Sequence, residues 1–269
     1  MKSTKEALTR PKEVHEILNQ LTEEGETQHK RSNGSLFLSA FGAGLEISFS
    51  VLLMGVIYTL YNKQVSEASL RLLLSICYPL GFLFVIIGKS QLFAEHITVA
   101  VLPVLAKKAS LISLLRIWGI VLIANLGGLF LFSCILATLP VDMEIIKPEA
   151  FNHIASKLIN YKWYNIAGSA VLAGWLMGLL GWLTTSSTDT ISRIFMIILV
   201  TFVIGVAGLH QSMVGAVAVL VGMLTGPNIH FTDFLRLMGL AVPGNIIGGV
   251  IFVAVLKKSH TKEEDFDVQ

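Results

Sequence analysis

Gly88-Lys89-Ser90-Gln91-Leu92-Phe93-Ala94-Glu95-His96 lies inside an apolar region that runs from about residue 72 to Leu105. A continuous helix of that length, at about 1.5 Å per residue, would overshoot a hydrocarbon core of about 30 Å by roughly half. Two helices with a proper loop between them would need more chain. The spacing therefore predicts a helix that stops near Gly88, loops, and restarts near Ala94. A second interruption, Gly208-Leu209-His210-Gln211-Ser212, falls 120 residues later within 39 positions (194–232) that hold no Asp, Glu, Lys or Arg. Paired polar breaks in matching places of two hydrophobic halves point to a transport site at the bilayer midplane.

Working outward, the whole chain fits a membrane setting. Of its 269 residues 54% are hydrophobic and 14% charged, where a soluble domain carries about 25% charged residues. Mean hydropathy is +0.71. Residues 32–62 contain one charge, Glu46, and read as the first span. Residues 117–141, 163–188 and 237–256 read as the third, fourth and sixth, the last loosened by Pro243-Gly244. The two interrupted stretches are the second and fifth. Residues 1–34 mix six Lys/Arg with six Glu and lack a continuous apolar core, so no signal peptide is read there. Ala7-Leu8 and Val14-His15-Glu16-Ile17-Leu18 suggest a short amphipathic surface helix in that segment, or a solvated tail with a little helix. Cys77 and Cys134 sit in apolar runs without metal-like spacing and read as small buried hydrophobes.

The halves repeat. At an offset of 120, Leu115-Arg116, Gly119, Asn125 and Gly128 meet Leu235-Arg236, Gly239, Asn245 and Gly248, while Gly88 and Gln91 meet Gly208 and Gln211. Around the first and fourth spans the offset is 130, where Ala43-Gly44 meets Ala173-Gly174. Three crossings per half is an odd number, so the second half is inverted. The expected fold is all-α: six transmembrane helices in two inverted three-helix repeats, with broken second and fifth helices. Residues 1–34 form a cytoplasmic segment, 35–258 the membrane domain and 259–269 a cytoplasmic tail. With six crossings and both termini inside, the inner segments hold 13 Lys/Arg and the outer ones 6, which sets the orientation. The half-helices restarting after each break turn their N-terminal N–H groups toward the interior, a geometry that attracts small anions or polar solutes.

These residues resemble the formate/nitrite transporter family, from about residue 32 to 258. Gln91-Leu92-Phe93 is similar to the family's acidic-Leu-Phe-Thr loop, and Gly208-Leu209-His210 to its second break, which ends in a central histidine. Arg116 with Asn125, and Gly244-Asn245-Ile246-Ile247-Gly248-Gly249, resemble its third and sixth helices. The resemblance implies an aquaporin-like fold, a homopentamer with one pore per protomer, and a multi-pass protein of the bacterial inner membrane. It also implies passage of formate, nitrite, hydrosulfide or similar monovalent anions, often with a proton, and no enzymatic activity. By the same resemblance Leu92, Phe93, Phe82, Tyr78 and Val203 fall where the family narrows its pore, and Lys157 or Lys162 matches a lysine that draws anions into the outer vestibule. The chain departs from the pattern at Ala94, Glu95 and His96, where the family has threonine, a small residue and asparagine. It departs again at Lys89 (usually glycine), Leu209 (acidic) and Trp175 (asparagine). It reads as a divergent branch.

His210, an ionisable group deep in an uncharged stretch, is the candidate proton-handling residue; its structural alternative is a core histidine bonded to Asn125 or Asn245. Lys89, with Ser90 and Glu95, forms the polar group of the first break. Lys89 reads either as an anion attractor tuned by Glu95 or as an internal partner of it. Asn125 and Asn245 read as amides that bond the exposed backbone of the breaks or the histidine. Glu95, His96 and His210 lack a further ligand at helical spacing, so no metal is expected, nor any cofactor or nucleic acid. A neutral-solute pore of aquaporin type is the alternative, although neither break contains Asn-Pro-Ala; an intramembrane enzyme using His210 with Glu95 is a third reading.

Overall fold

The computed structural model describes residues 10–264; Ala7-Leu8 and residues 265–269 lie outside the described part. Among the described residues eleven helices follow one another: α1 (Val14–Lys30), α2 (Asn33–Tyr61), α3 (Glu67–Cys77), α4 (Pro79–Gly88), α5 (Phe93–Leu105), α6 (Leu111–Asp142), α7 (Pro148–Ile159), α8 (Trp163–Ser186), α9 (Thr190–Ala207), α10 (Ser212–Thr225) and α11 (Phe231–Glu264). No strand occurs among the described residues. Six helical stretches among the described residues are long and apolar enough to cross a membrane: α2, α3 with α4, α6, α8, α9, and residues 231–253 of α11. Exposed apolar side chains such as Leu38, Ile112 and Ile191, each more than two-thirds exposed, give these helices an apolar outward face. Cys77 is buried and Cys134 half-buried, both as free thiols.

Local chemistry sets the helix boundaries. Ser32, Ser66, Ser110 and Asp189 each accept a backbone N–H from the residue three positions on, opening α2, α3, α6 and α9. Pro79 interrupts the second span at Tyr78. Ser50 repairs the gap, donating its hydroxyl to the Tyr78 carbonyl (2.7 Å) and accepting the Gly81 N–H (2.8 Å).

Two frames carry the molecule, each a pair of helices running in the same direction, α2 with α6 and α8 with α11. Each closes backbone to backbone: a Cβ on Gly44 would strike the Asn125 carbonyl, and one on Gly174 the Asn245 carbonyl. The repeat reaches beyond the spans. Surface helix α1 packs on half-helix α5, as α7 packs on α10. Gly25 of α1 is pressed on Pro103, while in the second half Gly222 is pressed on Ala155 of α7. Ile17, Leu21, Gly25 and Gln28 form the buried stripe of α1, spaced as an amphipathic helix requires.

The structure moves the breaks away from the midplane. The 22 residues of α3 and α4 together reach roughly 33 Å, nearly a full bilayer core, before the chain turns. The 18 residues of α9 reach roughly 27 Å. Each elbow therefore lies toward one face, opposite for the two halves, and four residues lead the chain back inside to start α5 or α10. The elbow on the α1 face is Lys89 and the other is Gly208, both left-handed, with φ 60° and 66°. The break register is thus Lys89 with Gly208 and Gln91 with His210, one residue away from the Gly88–Gly208 pairing that residue identity suggests.

Candidate functional site

Two buried asparagines hold the returning loops. Asn125 Oδ1 accepts the N–H of Phe93 (2.8 Å), and its Nδ2 donates to the carbonyls of Gln91 (2.9 Å) and Ala40 (2.7 Å). Asn245 repeats the pattern on Ser212 (2.9 Å), His210 (3.0 Å) and Ala170 (2.8 Å). Both amides are fully buried. One side chain per half thus satisfies a helix-start N–H, a loop carbonyl and a framework carbonyl, which water cannot do in hydrocarbon.

His210 is 4% exposed. Its Nε2 lies 2.9 Å from the Leu158 carbonyl, which can only accept, so Nε2 carries a hydrogen. Its Nδ1 meets the Ser169 hydroxyl in a short contact. In the neutral ring Ser169 donates to Nδ1. A second proton on Nδ1 reverses that bond, and the hydroxyl hydrogen then turns to the Ile166 carbonyl at 3.3 Å. The pair accommodates both protonation states without moving the ring. Tyr161 stands edge-on to the imidazole at 5.7 Å. Ser169 and Leu158 carry no sequence signal for this role, because their approach depends on how α7 packs on α10 and on where α8 meets the loop that holds His210.

A vestibule of about 740 Å³ opens on the face opposite α1. Its polar lining includes Glu67, Arg71, His153, Lys157, Tyr161 and Gln211. Tyr161 and Leu158 separate it from His210. Lys157 pairs with Glu67 at 2.5 Å. Burial, then the Lys157 charge, lowers the pKa of His153. Arg71 reaches the Gly208 elbow, 3.7 Å from where a Cβ would stand. Lys162 is not a lining residue and lies over the Tyr164 ring at 5.9 Å, so of the two candidate lysines Lys157 alone faces the vestibule.

On the α1 face, Lys89 is exposed at its elbow and Ser90 is half-buried, its N–H closing the turn on Val85 (2.9 Å). No Lys89–Glu95 ion pair forms among the described residues; Lys89 acts instead on Glu24 of α1. Glu24 touches solvent yet is surrounded by protein, and this burial raises its pKa against the pull of Lys89 and Arg193. One Glu95 carboxylate oxygen is buried without a partner. His96 bonds the Leu92 carbonyl through Nδ1 at 3.0 Å and so serves its own helix start. No group of three His, Cys, Asp or Glu able to hold a metal occurs among the described residues. Leu92, Phe93 and Phe82 are fully buried between the halves, with Tyr78 stacked on Phe82 at 5.6 Å. Val203 departs from this group. It is 39% exposed on the flank of α9, and that helix lines the vestibule through Ile204, Gly205 and Val206.

Two inverted halves, each with an interrupted span folded back into the interior beside a polar vestibule, define a multi-pass membrane channel or transporter. The chain belongs to the Formate/nitrite transporter family, whose sequence profile matches residues 15–258; this makes it a transport protein and not an enzyme. It is 28% identical over 255 residues to the inner membrane protein YfdC of Escherichia coli (strain K12), covering 93% of this chain and 79% of that protein. It is 28% identical over 247 residues to a probable formate transporter of Methanothermobacter thermautotrophicus, covering 86% and 90%. A solved pentameric formate channel with formate bound superposes with a TM-score of 0.72 at 21% identity, over 85% of this chain and 97% of that one.

Proposed function

We propose that the protein conducts a small monovalent anion of the formate, nitrite or hydrosulfide class, with a proton handled by His210. The observation that carries this reading is His210 itself, buried beside the start of α10 with one nitrogen committed to Leu158 and the other to a reversible bond with Ser169. An anion drawn into the vestibule meets the positive end of α10 and then the apolar group Leu92, Phe93 and Phe82. A proton lent there lowers the desolvation cost of passing it. In this reading Tyr78 borders the apolar group on the vestibule side. Asn125 and Asn245 keep the half-helices aimed at the path, and Lys89, with Ser90 and Glu95, forms the mouth on the α1 face. Formate in the names of the methanogen relative and the solved channel supports the substrate class. The pentamer of that channel supports a homopentamer here. The lysine and arginine distribution favours both termini in the cytoplasm, and the Escherichia coli relative favours a bacterial inner membrane.

The test is uptake into proteoliposomes under an imposed pH gradient, comparing wild type with His210→Ala and Ser169→Ala across formate, acetate, nitrite, nitrate and hydrosulfide. Proton-linked uptake of one anion, abolished in His210→Ala and reduced in Ser169→Ala, is expected. Wild-type flux of a neutral solute with none of these anions would overturn the reading.

A further inference from the structure

Gln211 follows the central histidine, is 2% exposed, and lines the vestibule. Its orientation is fixed by chemistry, because the N–H of Val214 can only donate and lies 2.7 Å from Gln211 Oε1. The other end of the amide, Nε2, is therefore an NH₂ group, and it is buried without any hydrogen-bond partner. Two N–H donors left bare in a protein interior cost free energy unless something occupies them. The hydroxyl of the next residue, Ser212, is also buried and unpartnered. Both sit at the first turn of α10, a 14-residue helix whose N-terminal dipole end favours negative charge. Tyr78, a further lining residue, has no hydrogen bond from its hydroxyl to any described residue, and Arg71 stands farther out at the Gly208 elbow. The unsatisfied groups at this floor can all donate. The equivalent position of the first half is Leu92, which has nothing to donate, so the arrangement is particular to the vestibule side.

We infer that the Gln211 amide, backed by Ser212 and the start of α10, is an oxyanion-binding site at the vestibule floor, selecting planar carboxylate- or nitrite-like anions over hydrosulfide. An oxyanion leaving the vestibule exchanges water for the two Gln211 N–H groups before it reaches the level of His210. Sulfur accepts hydrogen bonds weakly, so hydrosulfide gains little from the same donors. This inference rests on the anion-transport reading above.

The test uses the full chain in proteoliposomes, with formate, nitrite and hydrosulfide uptake measured for wild type, Gln211→Glu and Gln211→Met. Gln211→Glu keeps an oxygen to cap Val214 but replaces the donor by a second acceptor. Its formate and nitrite uptake falls at least about tenfold, the loss expected when a hydrogen bond to a charged group is removed. Gln211→Met loses oxyanion uptake while keeping hydrosulfide uptake; should the Glu variant not fold, the ratio in the Met variant decides. Wild-type formate flux in Gln211→Glu, or an equal fall for all three anions in Gln211→Met, would overturn the site alone. No flux of any anion by the wild-type protein would overturn the transport reading with it.

Discussion

Replacing Asn245 by leucine removes three hydrogen bonds at a side chain with no solvent exposure. At the average of about 0.6 kcal/mol measured for interhelical bonds within a membrane, their loss costs about 2 kcal/mol. The Ser212 N–H and the His210 carbonyl are left orphaned, and at about 1–3 kcal/mol each they set an upper range near 6 kcal/mol. A chain of this size loses about 2–4 °C of melting temperature per kcal/mol, so Asn245→Leu melts at least about 4–8 °C below wild type. Asn125→Leu removes the matching three bonds and loses a similar amount. Thermal unfolding in detergent, followed by tryptophan fluorescence, reads both variants. If both melt within about 1 °C of wild type, the asparagines do not hold the half-helices and the account of the breaks is wrong.

Three further outcomes follow from the elbows and the vestibule. Gly208→Ala puts a Cβ on a residue at φ 66°; with Arg71 the nearest atom the space is open, so backbone strain alone lowers stability by about 1 kcal/mol, read as a drop of about 2–4 °C. Glu67→Gln releases Lys157 from its ion pair and raises anion uptake from the vestibule side at low ionic strength. That gain fades near physiological salt, where charges more than about 8 Å apart are screened, and a gain independent of salt would contradict it. His153 has a pKa lowered in the folded protein by burial and by Lys157. Its contribution to stability is therefore present above the unfolded value of about 6.5 and is lost as pH falls through the lower folded value. Melting temperature between pH 7 and pH 5 falls less steeply in His153→Gln than in wild type; identical slopes would rule out this histidine.

Much of the architecture was legible because hydrocarbon imposes few solutions. An uncharged run too long for one span forces an interruption, and two asparagines at equal spacing mark where backbone must be satisfied from outside the helix. The exact register was not legible. Glycine is the residue that tolerates a left-handed elbow, so Gly88 draws the alignment to itself, yet the chain turns at Lys89, where a long side chain bears the strained φ. The partners of His210 were hidden for another reason. Ser169 and the Leu158 carbonyl are ordinary in sequence and meet the imidazole only because α7 and α8 flank the loop that carries it. Val203 is 39% exposed and is not among the residues lining the vestibule, whose α9 contributions begin at the next residue, Ile204. The unpartnered Gln211 amide could not be foreseen, since its significance lies in which oxygen takes the Val214 N–H.

The two offsets that relate the halves also differ in a way that locates their asymmetry. Asn125 and Asn245 reach framework carbonyls 130 residues apart, Ala40 and Ala170, but loop carbonyls only 119 apart, Gln91 and His210. The first half therefore carries eleven more residues between its opening helix and its break. By the break register Arg71 corresponds to Thr190, the first residue of α9, so the surplus is spent just ahead of it, in a longer α2 and the turn that brings in Glu67. A duplicated and inverted chain would on its own treat its two sides alike. Here the added length supplies one rim with Glu67, which falls in the surplus stretch and has no counterpart in the other half. The inherited symmetry lays the track, and the residues added to one half make its two ends unlike.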